Sequence, residues 1–339
     1  MEIHFSKKLI VAPLEWGIIG PGKIAHDFAR DLALVQPQQK ITAVLGRNQS
    51  SADNFVKEFA TGKAYADQAS FLQHPGLNIV YIATPHPAHY EQAMACLQNK
   101  IPVLCEKPLA VNAEQAAGLI NASRENNCFL MEAMWIRFLP GIIKALEIVK
   151  QGTIGKILSV KASMGYKAPK DENSRYFDPE LGGGSLLDLG IYPVFLAHLL
   201  LGKPRIIKAI GTLTEKGIDE SCSVLLDYDG SAQAILDSTL VSQSDRPAEV
   251  AGSKGIINIL NPWFEKSPAV EWQLYNQEKQ QFVTDWEGHG LQFEIMEVLH
   301  CLENKQIEST LFPHRLSLDI TETMDAIREQ IHVVYKEDN

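Results

Sequence analysis

The sequence has few cysteines, fewer basic than acidic residues and no long uninterrupted apolar run. Its five cysteines among 339 residues are odd in number and scattered, and no pair has the spacing of a redox motif or a metal site. Buried, reduced thiols in a cytoplasmic protein are therefore expected. The net charge of -10 argues against nucleic acid or an anionic membrane as a partner. The longest apolar stretch, residues 189–201, contains Tyr192, Pro193 and His198 and is too short and too polar to span a bilayer.

The first part of the chain alternates short apolar runs with helical stretches, which predicts an α/β fold with a doubly wound parallel sheet. The first expected strand, residues 15–20, leads into a turn in which Gly20 and Gly22 are followed by Ala25. This spacing is typical of dinucleotide binding. Gly20 permits the sharp turn, Gly22 admits a pyrophosphate, and the N-terminus of the next helix points at it.

The end of the second expected strand, residues 41–45, indicates which nicotinamide cofactor is bound. Between Lys40 and Ala52 there is no acidic residue to bond a ribose 2′-hydroxyl, and Arg47 stands where a 2′-phosphate would lie. NADP is therefore expected. The alternative is that Arg47 merely begins a solvated loop.

Two later strands end in residues that suit a ligand at the carboxyl edge of the sheet. The first ends at Thr84 and Pro85, next to which a ribose or nicotinamide could pass. His89 nearby either contacts the cofactor or caps its helix. The second strand ends at Glu106 and Lys107, which form either the mouth of a cleft or a surface ion pair. A partly desolvated lysine beside a carboxylate can polarise a substrate oxygen or assist proton transfer.

After about residue 140 the pattern becomes rich in strands and predicts a second, α+β domain with a large, mostly antiparallel open sheet. We expect a Rossmann domain over residues 1–138 and a substrate-binding and dimerisation domain over residues 139–339. The turn at Asp229 and Gly230 predicts a hairpin. Apolar strand residues suggest a sheet covered on both faces, and hence a homodimer formed through it. These residues are Val224, Leu226, Ala234, Leu236 and Ile257.

Three glycines at residues 182–184 precede an apolar helix that carries Asp188 and Tyr192. Because these two residues are four positions apart, they lie on one face of the helix. An acid and a phenol in this arrangement are either a satisfied buried pair or a catalytic dyad. Four aromatic side chains either line a pocket for a sugar or a cyclohexadiene diol or pack within the sheet. They are Tyr166, Tyr176, Phe177 and Trp263.

Taken together, these segments resemble the glucose-fructose oxidoreductase/inositol dehydrogenase (Gfo/Idh/MocA) family of NAD(P)-dependent oxidoreductases over nearly the whole chain. The resemblance is carried by residues 16–25, 80–85 with His89, 105–109, 182–192 and 252–255. Within the family, the Trp-Ile-Arg-Phe-Leu-Pro run at 135–140 and the Asp-Leu-Gly-Ile-Tyr run at 188–192 are similar to the dimeric trans-dihydrodiol dehydrogenase group.

The resemblance implies that Lys107 is catalytic and that the helix with Asp188 and Tyr192 faces the nicotinamide. Tyr192 stands where many members have histidine, so the phenol is expected to exchange the substrate proton, with its pKa lowered by Lys107. Substrate contacts are expected from Tyr176 and Phe177. The expected cofactor contacts are Gly20, Gly22, Lys23, Ile24, Arg47, Thr84, Pro85, His89, Glu106, Trp135 and Arg137.

The sequence therefore predicts an oxidoreductase that uses NADP, or alternatively NAD, and transfers a hydride to or from a cyclic polyol, a sugar or a trans-dihydrodiol. Lys107 bonds the reacting oxygen, Tyr192 exchanges its proton and Asp188 orients the pair, and no metal is required. Two alternatives remain open. One is a sugar or inositol dehydrogenase that uses NAD. The other is a non-catalytic NADP-sensing protein on the same scaffold, because a fold does not determine a function.

Overall fold

The computed structural model describes residues 13–169, 174–230 and 232–338. Its first half contains a six-stranded sheet in which every pair of neighbouring strands is parallel. The strands are β1 (Glu15–Ile19), β2 (Lys40–Leu45), β3 (Lys63–Tyr65), β4 (Ile79–Ile82), β5 (Val103–Glu106) and β6 (Leu130–Ala133), in the order β3-β2-β1-β4-β5-β6. This order is typical of a dinucleotide-binding Rossmann sheet and confirms the predicted doubly wound architecture.

Five helices connect these strands: α1 (Lys23–Leu32), α2 (Gln49–Phe59), α3 (Gln68–Leu72), α4 (His89–Gln98) and α5 (Ala113–Glu125). In three of them the capping side chain accepts a hydrogen bond from a backbone N–H three residues later; these caps are Asn48, Asp67 and Asn112. α1 differs, because Gly22 has no side chain with which to bond the first amide groups. The N-terminus of α1 therefore keeps its amide groups for another partner.

The second half contains an eight-stranded sheet in the order β14-β13-β12-β11-β7-β10-β9-β8. Its strands are β7 (Ile157–Gly165), β8 (Ile206–Leu213), β9 (Asp219–Asp227), β10 (Gln233–Thr239), β11 (Ala248–Gly252), β12 (Gly255–Ile259), β13 (Ala269–Leu274) and β14 (Gln280–Val283). β7 and β10 are parallel, and the other neighbouring strands are antiparallel. The mostly antiparallel sheet and the hairpin between β9 and β10 agree with the sequence pattern.

Four helices accompany the second sheet: α6 (Pro140–Lys150), α7 (Ile191–Leu201), α8 (Leu291–Glu303) and α9 (His314–Ile331). α8 packs against α1, and α9 contacts both α5 and β8, so the two halves share helical contacts. The chain leaves the first sheet at Ala133 and reaches the second through α6. The division into domains at residues 138 and 139 stays a prediction.

The five apolar residues that suggested a homodimer through the second sheet do not lie on its outer face. Each is at most 5% exposed, and all belong to the face that packs against the helices. The opposite face carries different residues, because side chains alternate between the two faces of a strand. These five residues therefore do not support a homodimer, which depends on the residues of the outer face.

One helical stretch in the described part of the chain, Pro179–Leu201, is long and apolar enough to cross a membrane by length and composition. In the structure, 83% of its most apolar window is buried. α7, which forms the end of this stretch, packs against β7 and α9. Its apolar character is thus accounted for by its place in the core of the second half.

Candidate active site

The glycine turn (residues 20–25) between β1 and α1 leaves its backbone accessible. Gly20 has a φ of 85°, and a Cβ there would lie 2.8 Å from the carbonyl oxygen of Ala83, so glycine is required. A Cβ at Gly22 would meet no atom within 4 Å. α1 has no acidic residue in its first turn, so no charge opposes an anion at its N-terminus. These features fit the pyrophosphate of a dinucleotide.

The end of β2 lies beside the glycine turn, because Gly20 N–H donates a hydrogen bond to the carbonyl oxygen of Leu45 (2.9 Å). Arg47 follows directly and is exposed. Within the described residues its guanidinium makes no ion pair or hydrogen bond. Lys23 is exposed and Ile24 is half-buried at the start of α1. These side chains are therefore accessible to a ligand bound at the turn.

The loop after β4 places Thr84 and Pro85 at the carboxyl edge of the sheet. Thr84 is half-buried and Pro85 is exposed. His89 is 0% exposed, and its ring nitrogens contact the carbonyl oxygens of Thr84 (2.9 Å) and Pro108 (2.8 Å). The ring is therefore enclosed, and its two contacts connect the loops that follow β4 and β5. His89 therefore does not cap α4, whose first turn has no side-chain cap, and a contact from His89 to the cofactor stays a prediction.

Two other predicted cofactor residues are engaged within the protein. Glu106 is buried and accepts hydrogen bonds from the Tyr81 hydroxyl (2.6 Å) and from Lys107 N–H (3.3 Å). Arg137 is 7% exposed, and its Nε donates a hydrogen bond to the carbonyl oxygen of Leu311 (2.9 Å). Contacts from either residue to a cofactor stay predictions.

Two further buried carboxyl groups lie near Glu106, and the sequence did not indicate them. Glu132, at the end of β6, accepts a hydrogen bond from Leu109 N–H (3.1 Å), and burial raises its pKa to about 7. Glu294, on α8, is 0% exposed, and neither of its carboxylate oxygens has a hydrogen-bond partner among the described residues. Burial, with Glu106 and Asp31 as acidic neighbours, raises its pKa well above the ordinary value.

The side chain of Lys107 extends from the end of β5 to the turn that precedes α7. Its Nζ donates hydrogen bonds to the carbonyl oxygen of Asp188 (2.8 Å) and to Asp188 Oδ1 (3.3 Å). The same ammonium lies 4.9 Å from the centroid of the Tyr192 ring. Burial opposes its charge, but Tyr192, Asp188 and Glu106 together outweigh burial and raise the pKa of Lys107. Because Lys107 and Glu106 are both largely buried, they are not a surface ion pair; the cleft at this edge stays a prediction.

Asp188 lies in a single π-helical turn, Leu186–Gly190, which precedes α7. Besides Lys107, its carboxylate contacts Arg175 Nη2 (3.3 Å) and faces His86 Nε2 (3.8 Å). Burial favours the neutral acid, but Lys107 and Arg175 outweigh it and lower the pKa of Asp188. Burial also lowers the pKa of His86 to about 3, so its imidazole is neutral. The sequence indicated neither Arg175 nor His86.

Tyr192 follows Asp188 by one turn, and its hydroxyl oxygen accepts a hydrogen bond from Trp135 Nε1 (3.1 Å). Trp135 and Lys107 are thus both neighbours of the phenol. Burial raises the pKa of Tyr192 and outweighs the opposing influence of Lys107. The expectation of a lowered pKa is therefore wrong for the protein without ligands, because a fully enclosed phenol loses the solvation of its anion.

The predicted aromatic lining divides into two sets. Tyr176 and Phe177 lie in a short turn, Arg175–Phe177, and both are half-buried. The guanidinium of Arg175 stacks on Tyr176 at 4.3 Å from its ring centroid, and so connects this turn to Asp188. Trp263, in contrast, is 1% exposed and donates a hydrogen bond to the carbonyl oxygen of Ser163 (2.9 Å), so it is part of the core.

Comparison with known families covers both halves of the chain. The model of an oxidoreductase family with an NAD-binding Rossmann fold matches residues 14–134, and the model of the GFO/IDH/MocA C-terminal domain matches residues 142–258. The chain belongs to the Gfo/Idh/MocA family. It is an NAD(P)-dependent oxidoreductase, and the resemblance recognised in its sequence is confirmed.

Individual relatives match along the full length of this family member. It is 36% identical over 335 residues to the trans-1,2-dihydrobenzene-1,2-diol dehydrogenase of Xenopus laevis, covering 95% of this chain and 99% of that one. The enzyme of the same name from Homo sapiens is 31% identical over 332 residues, with 96% and 99% covered.

Solved structures share the fold. A 3-ketoreductase from Actinomadura kijaniata, in complex with NADP and TDP-benzene, is 24% identical with a TM-score of 0.83, covering 96% of this chain and 99% of that one. A levoglucosan dehydrogenase, in complex with NADH and levoglucosan, is 19% identical with a TM-score of 0.84, covering 95% and 98%.

Proposed function

We propose that the protein is an NADP-dependent dehydrogenase that acts on the carbinol carbon of a trans-dihydrodiol or of a related cyclic polyol or sugar. The observation that carries this proposal is the enclosed group of Lys107, Asp188 and Tyr192, in which one ammonium contacts a carboxylate and lies over the ring of a phenol. The full-length similarity to trans-dihydrodiol dehydrogenases supports the substrate class.

Each side chain has a role that follows from its charge. The nicotinamide, when bound, supplies or accepts the hydride. Lys107, held as a cation by Asp188, donates a hydrogen bond to the substrate oxygen and stabilises negative charge that develops there. Tyr192 retains its proton near neutral pH because its pKa is raised, so the phenol donates that proton when the substrate is reduced. Oxidation in turn requires the phenolate and is favoured as the pH rises.

The preference for NADP over NAD rests on Arg47. An exposed guanidinium beside the glycine turn can bind a 2′-phosphate through two parallel hydrogen bonds. Such a charge-assisted contact contributes about 1.5–3 kcal/mol, which is a tenfold or larger preference. We expect Arg47→Ala to weaken NADP binding by roughly that factor and to leave NAD binding nearly unchanged.

One titration and one activity panel test the proposal. NADP and NAD binding are measured for the wild-type protein, and the nicotinamide absorbance is then followed with trans-dihydrodiols, cyclic polyols and aldoses. We expect tighter NADP binding and turnover of at least one cyclic diol. Equal or tighter NAD binding would refute the cofactor preference. Turnover of sugars or inositols alone would indicate a sugar dehydrogenase, and binding without turnover would indicate an NADP sensor.

We also propose a homodimer through the outer face of the second sheet, which we define as Ile210, Leu225 and Ile235 with their neighbours. Ile210 is 80% exposed, Ile235 is 49% exposed and Leu225 is 41% exposed. Ile235 and Leu225 are directly opposed on β10 and β9, so their side chains form one apolar patch. A cytoplasmic location, expected from the five cysteines, stays a prediction that fractionation of cells would test.

A further inference from the structure

The segment that follows α9, residues 333–338, lies against the loop that leads to Asp188; we call it the tail segment. Tyr335 in this segment is 2% exposed. Its hydroxyl donates a hydrogen bond to the carbonyl oxygen of Gly183 (2.5 Å), five residues before Asp188. The two partners are 152 residues apart in the chain, so this contact exists only in the folded protein.

The tail segment also contacts the loop that follows Lys107. Asn112, five residues after Lys107, donates hydrogen bonds from Nδ2 to the carbonyl oxygen of Glu337 (2.9 Å) and to Asp338 Oδ1 (3.2 Å). Its Oδ1 meanwhile caps α5. One short segment therefore contacts both chain segments that carry the Lys107–Asp188 pair.

Arg328 of α9 holds the tail segment in this position. Its Nη1 donates a hydrogen bond to Asp338 Oδ2 (2.6 Å), and its guanidinium lies 5.2 Å from the centroid of the Tyr335 ring. The same guanidinium contacts the carbonyl oxygen of Val111 (3.3 Å). Asp338 in turn accepts a hydrogen bond from Tyr335 N–H (2.9 Å). Because these contacts are mutual, the Tyr335 hydroxyl has little freedom to move.

The glycine loop (residues 182–184) needs such support from outside. Gly182 and Gly184 have φ values of 67° and 122°, conformations that other residues rarely adopt, and glycine backbones are the most flexible. A Cβ at Gly184 would lie 2.9 Å from the Tyr335 hydroxyl oxygen, so the ring and the loop are in close contact. The residues that follow the glycine loop have another partner: Asp219 accepts hydrogen bonds from the Ser185 hydroxyl and from Leu186 N–H, both at 2.7 Å. The three glycines themselves are held by Tyr335 and by the contacts that the glycine loop makes with neighbouring loops.

We propose that Tyr335 is a positioning residue of the active site, whose hydroxyl holds the glycine loop so that Asp188 meets Lys107. This inference rests on the proposed function only for its effect on hydride transfer. Without the hydroxyl, the glycine loop shifts and the contacts from Lys107 Nζ to Asp188 lengthen. NADP binding is expected to change little, because the glycine turn and Arg47 lie on other loops.

The test compares Tyr335→Phe with Tyr228→Phe. Each variant keeps a buried aromatic ring and loses one hydroxyl. The Tyr228 hydroxyl has no hydrogen-bond partner in the described part of the chain, which makes it a matched control. Amide hydrogen exchange of residues 182–190 and the rate of acetylation of Lys107 are measured without substrate. The rate of hydride transfer in a single turnover is measured with NADP and the best substrate of the panel.

In Tyr335→Phe we expect faster exchange over residues 182–190, faster acetylation of Lys107, and hydride transfer slowed by about 5- to 50-fold, since small misplacements of reacting groups have effects up to about 100-fold. NADP affinity and the melting temperature should stay close to those of Tyr228→Phe. Unchanged exchange and acetylation would overturn the inference. Altered exchange with unchanged hydride transfer would do so as well, because it would leave Tyr335 a purely structural role.

The two proposals fail in different ways. If the wild-type protein transfers no hydride to any substrate, the proposed function fails, but exchange and acetylation still decide whether Tyr335 positions Lys107 and Asp188. Asp338→Asn provides a second variant, because it weakens the contact with Arg328 while it keeps the size of the side chain. Asp338→Asn should raise the rate of Lys107 acetylation, as Tyr335→Phe does. A wild-type rate of acetylation would count against the inference.

Discussion

At the scale of single residues, the contacts of Asp188 explain how Lys107 stays charged inside the protein. Asp188 contacts Lys107 and Arg175 and lies opposite a neutral His86. One carboxylate therefore faces two cations, which offsets part of the cost of burying the ammonium. A cation fixed in this way is suited to an oxygen that becomes negative during reaction, because its position and protonation do not have to change.

Replacing Lys107 by Met tests this role, because Met keeps most of the apolar stem and removes the charge and all three donors. We expect the single-turnover rate of hydride transfer to fall by a factor of about 10²–10⁴ in Lys107→Met. In Tyr192→Phe the rate should fall by a factor within the same range. NADP affinity should change much less. Lys279→Met is the control, since that lysine is 56% exposed, pairs with Glu271 and lies outside the apolar patch. Near-wild-type hydride transfer in Lys107→Met would leave the catalytic assignment without support.

A second prediction concerns Glu132, whose pKa burial raises from 4.5 to about 7. The folded protein then binds this proton more tightly than the unfolded chain, so the stabilising contribution is present below about pH 4.5 and is lost as the pH rises toward 7. Glu132→Gln keeps the shape and an oxygen acceptor but cannot ionise. We expect it to match the wild-type stability near pH 5 and to exceed it by roughly 3 kcal/mol near pH 8. Urea unfolding at both pH values checks this, and a pH-independent difference would contradict it.

The sequence indicated the reacting residues better than their partners. Lys107, Asp188 and Tyr192 stand in motifs that carry the family resemblance, and the structure brings these three together. Arg175 and His86 have no such pattern, and their contacts with Asp188 form only when separate loops meet. The sequence also predicts the wrong direction for the pKa of Tyr192, because it shows the neighbouring cation but does not show how completely the phenol is buried.

At the scale of elements, the segments with a clear apolar pattern could be predicted and those without one could not. The expected strands 15–20 and 41–45 coincide with β1 and β2 to within one residue. β3 and β14 were not indicated, because they are short and partly or fully exposed, whereas the equally short β4 and β5 are buried apolar runs. The π-helical turn before α7 has no sequence signature either, since its residues continue the apolar run.

The start of α8 gives a prediction at this scale. Asp31 of α1 is 0% exposed, and its carboxylate accepts hydrogen bonds from the N–H groups of His289, Gly290 and Leu291 at 2.9–3.0 Å. It therefore satisfies the free amide groups of α8 and complements the helix dipole. Asp31→Asn removes the charge and turns one acceptor into a donor, so we expect a loss of about 2–4 kcal/mol.

Urea unfolding measures this loss, with Asp53→Asn on the exposed face of α2 as the control. Asp53 is exposed and pairs with Gln49, so its substitution should change stability by less than about 0.5 kcal/mol. If both variants unfold at the wild-type urea concentration, Asp31 does not hold α8 against α1.

At the scale of the whole molecule, the second sheet has helices on one face and an apolar patch on the other. On the outer face, Ile235 lies between Leu225 on β9 and Lys161 on β7, and Lys161 pairs with Glu249 on β11. The patch is thus apolar at its centre and charged at its edge, an arrangement typical of a surface that binds another protein. A twofold dimer would place the same patch of each subunit against the other.

This arrangement leads to a variant that separates assembly from folding. In a monomer, Ile235→Glu would place a carboxylate beside Lys161, where the two charges attract, so the fold should be retained. In a dimer the same carboxylate would be buried at the centre of the interface. Its desolvation costs several kcal/mol and weakens association by roughly 10²-fold or more. Light scattering should therefore show twice 37.6 kDa for the wild-type protein and 37.6 kDa for Ile235→Glu at micromolar concentration. Gln98→Glu, an exposed position at the end of α4 in the first half of the chain, should remain a dimer. A wild-type monomer would refute the dimer, whereas a dimeric Ile235→Glu with an unchanged melting temperature would place the interface on another surface.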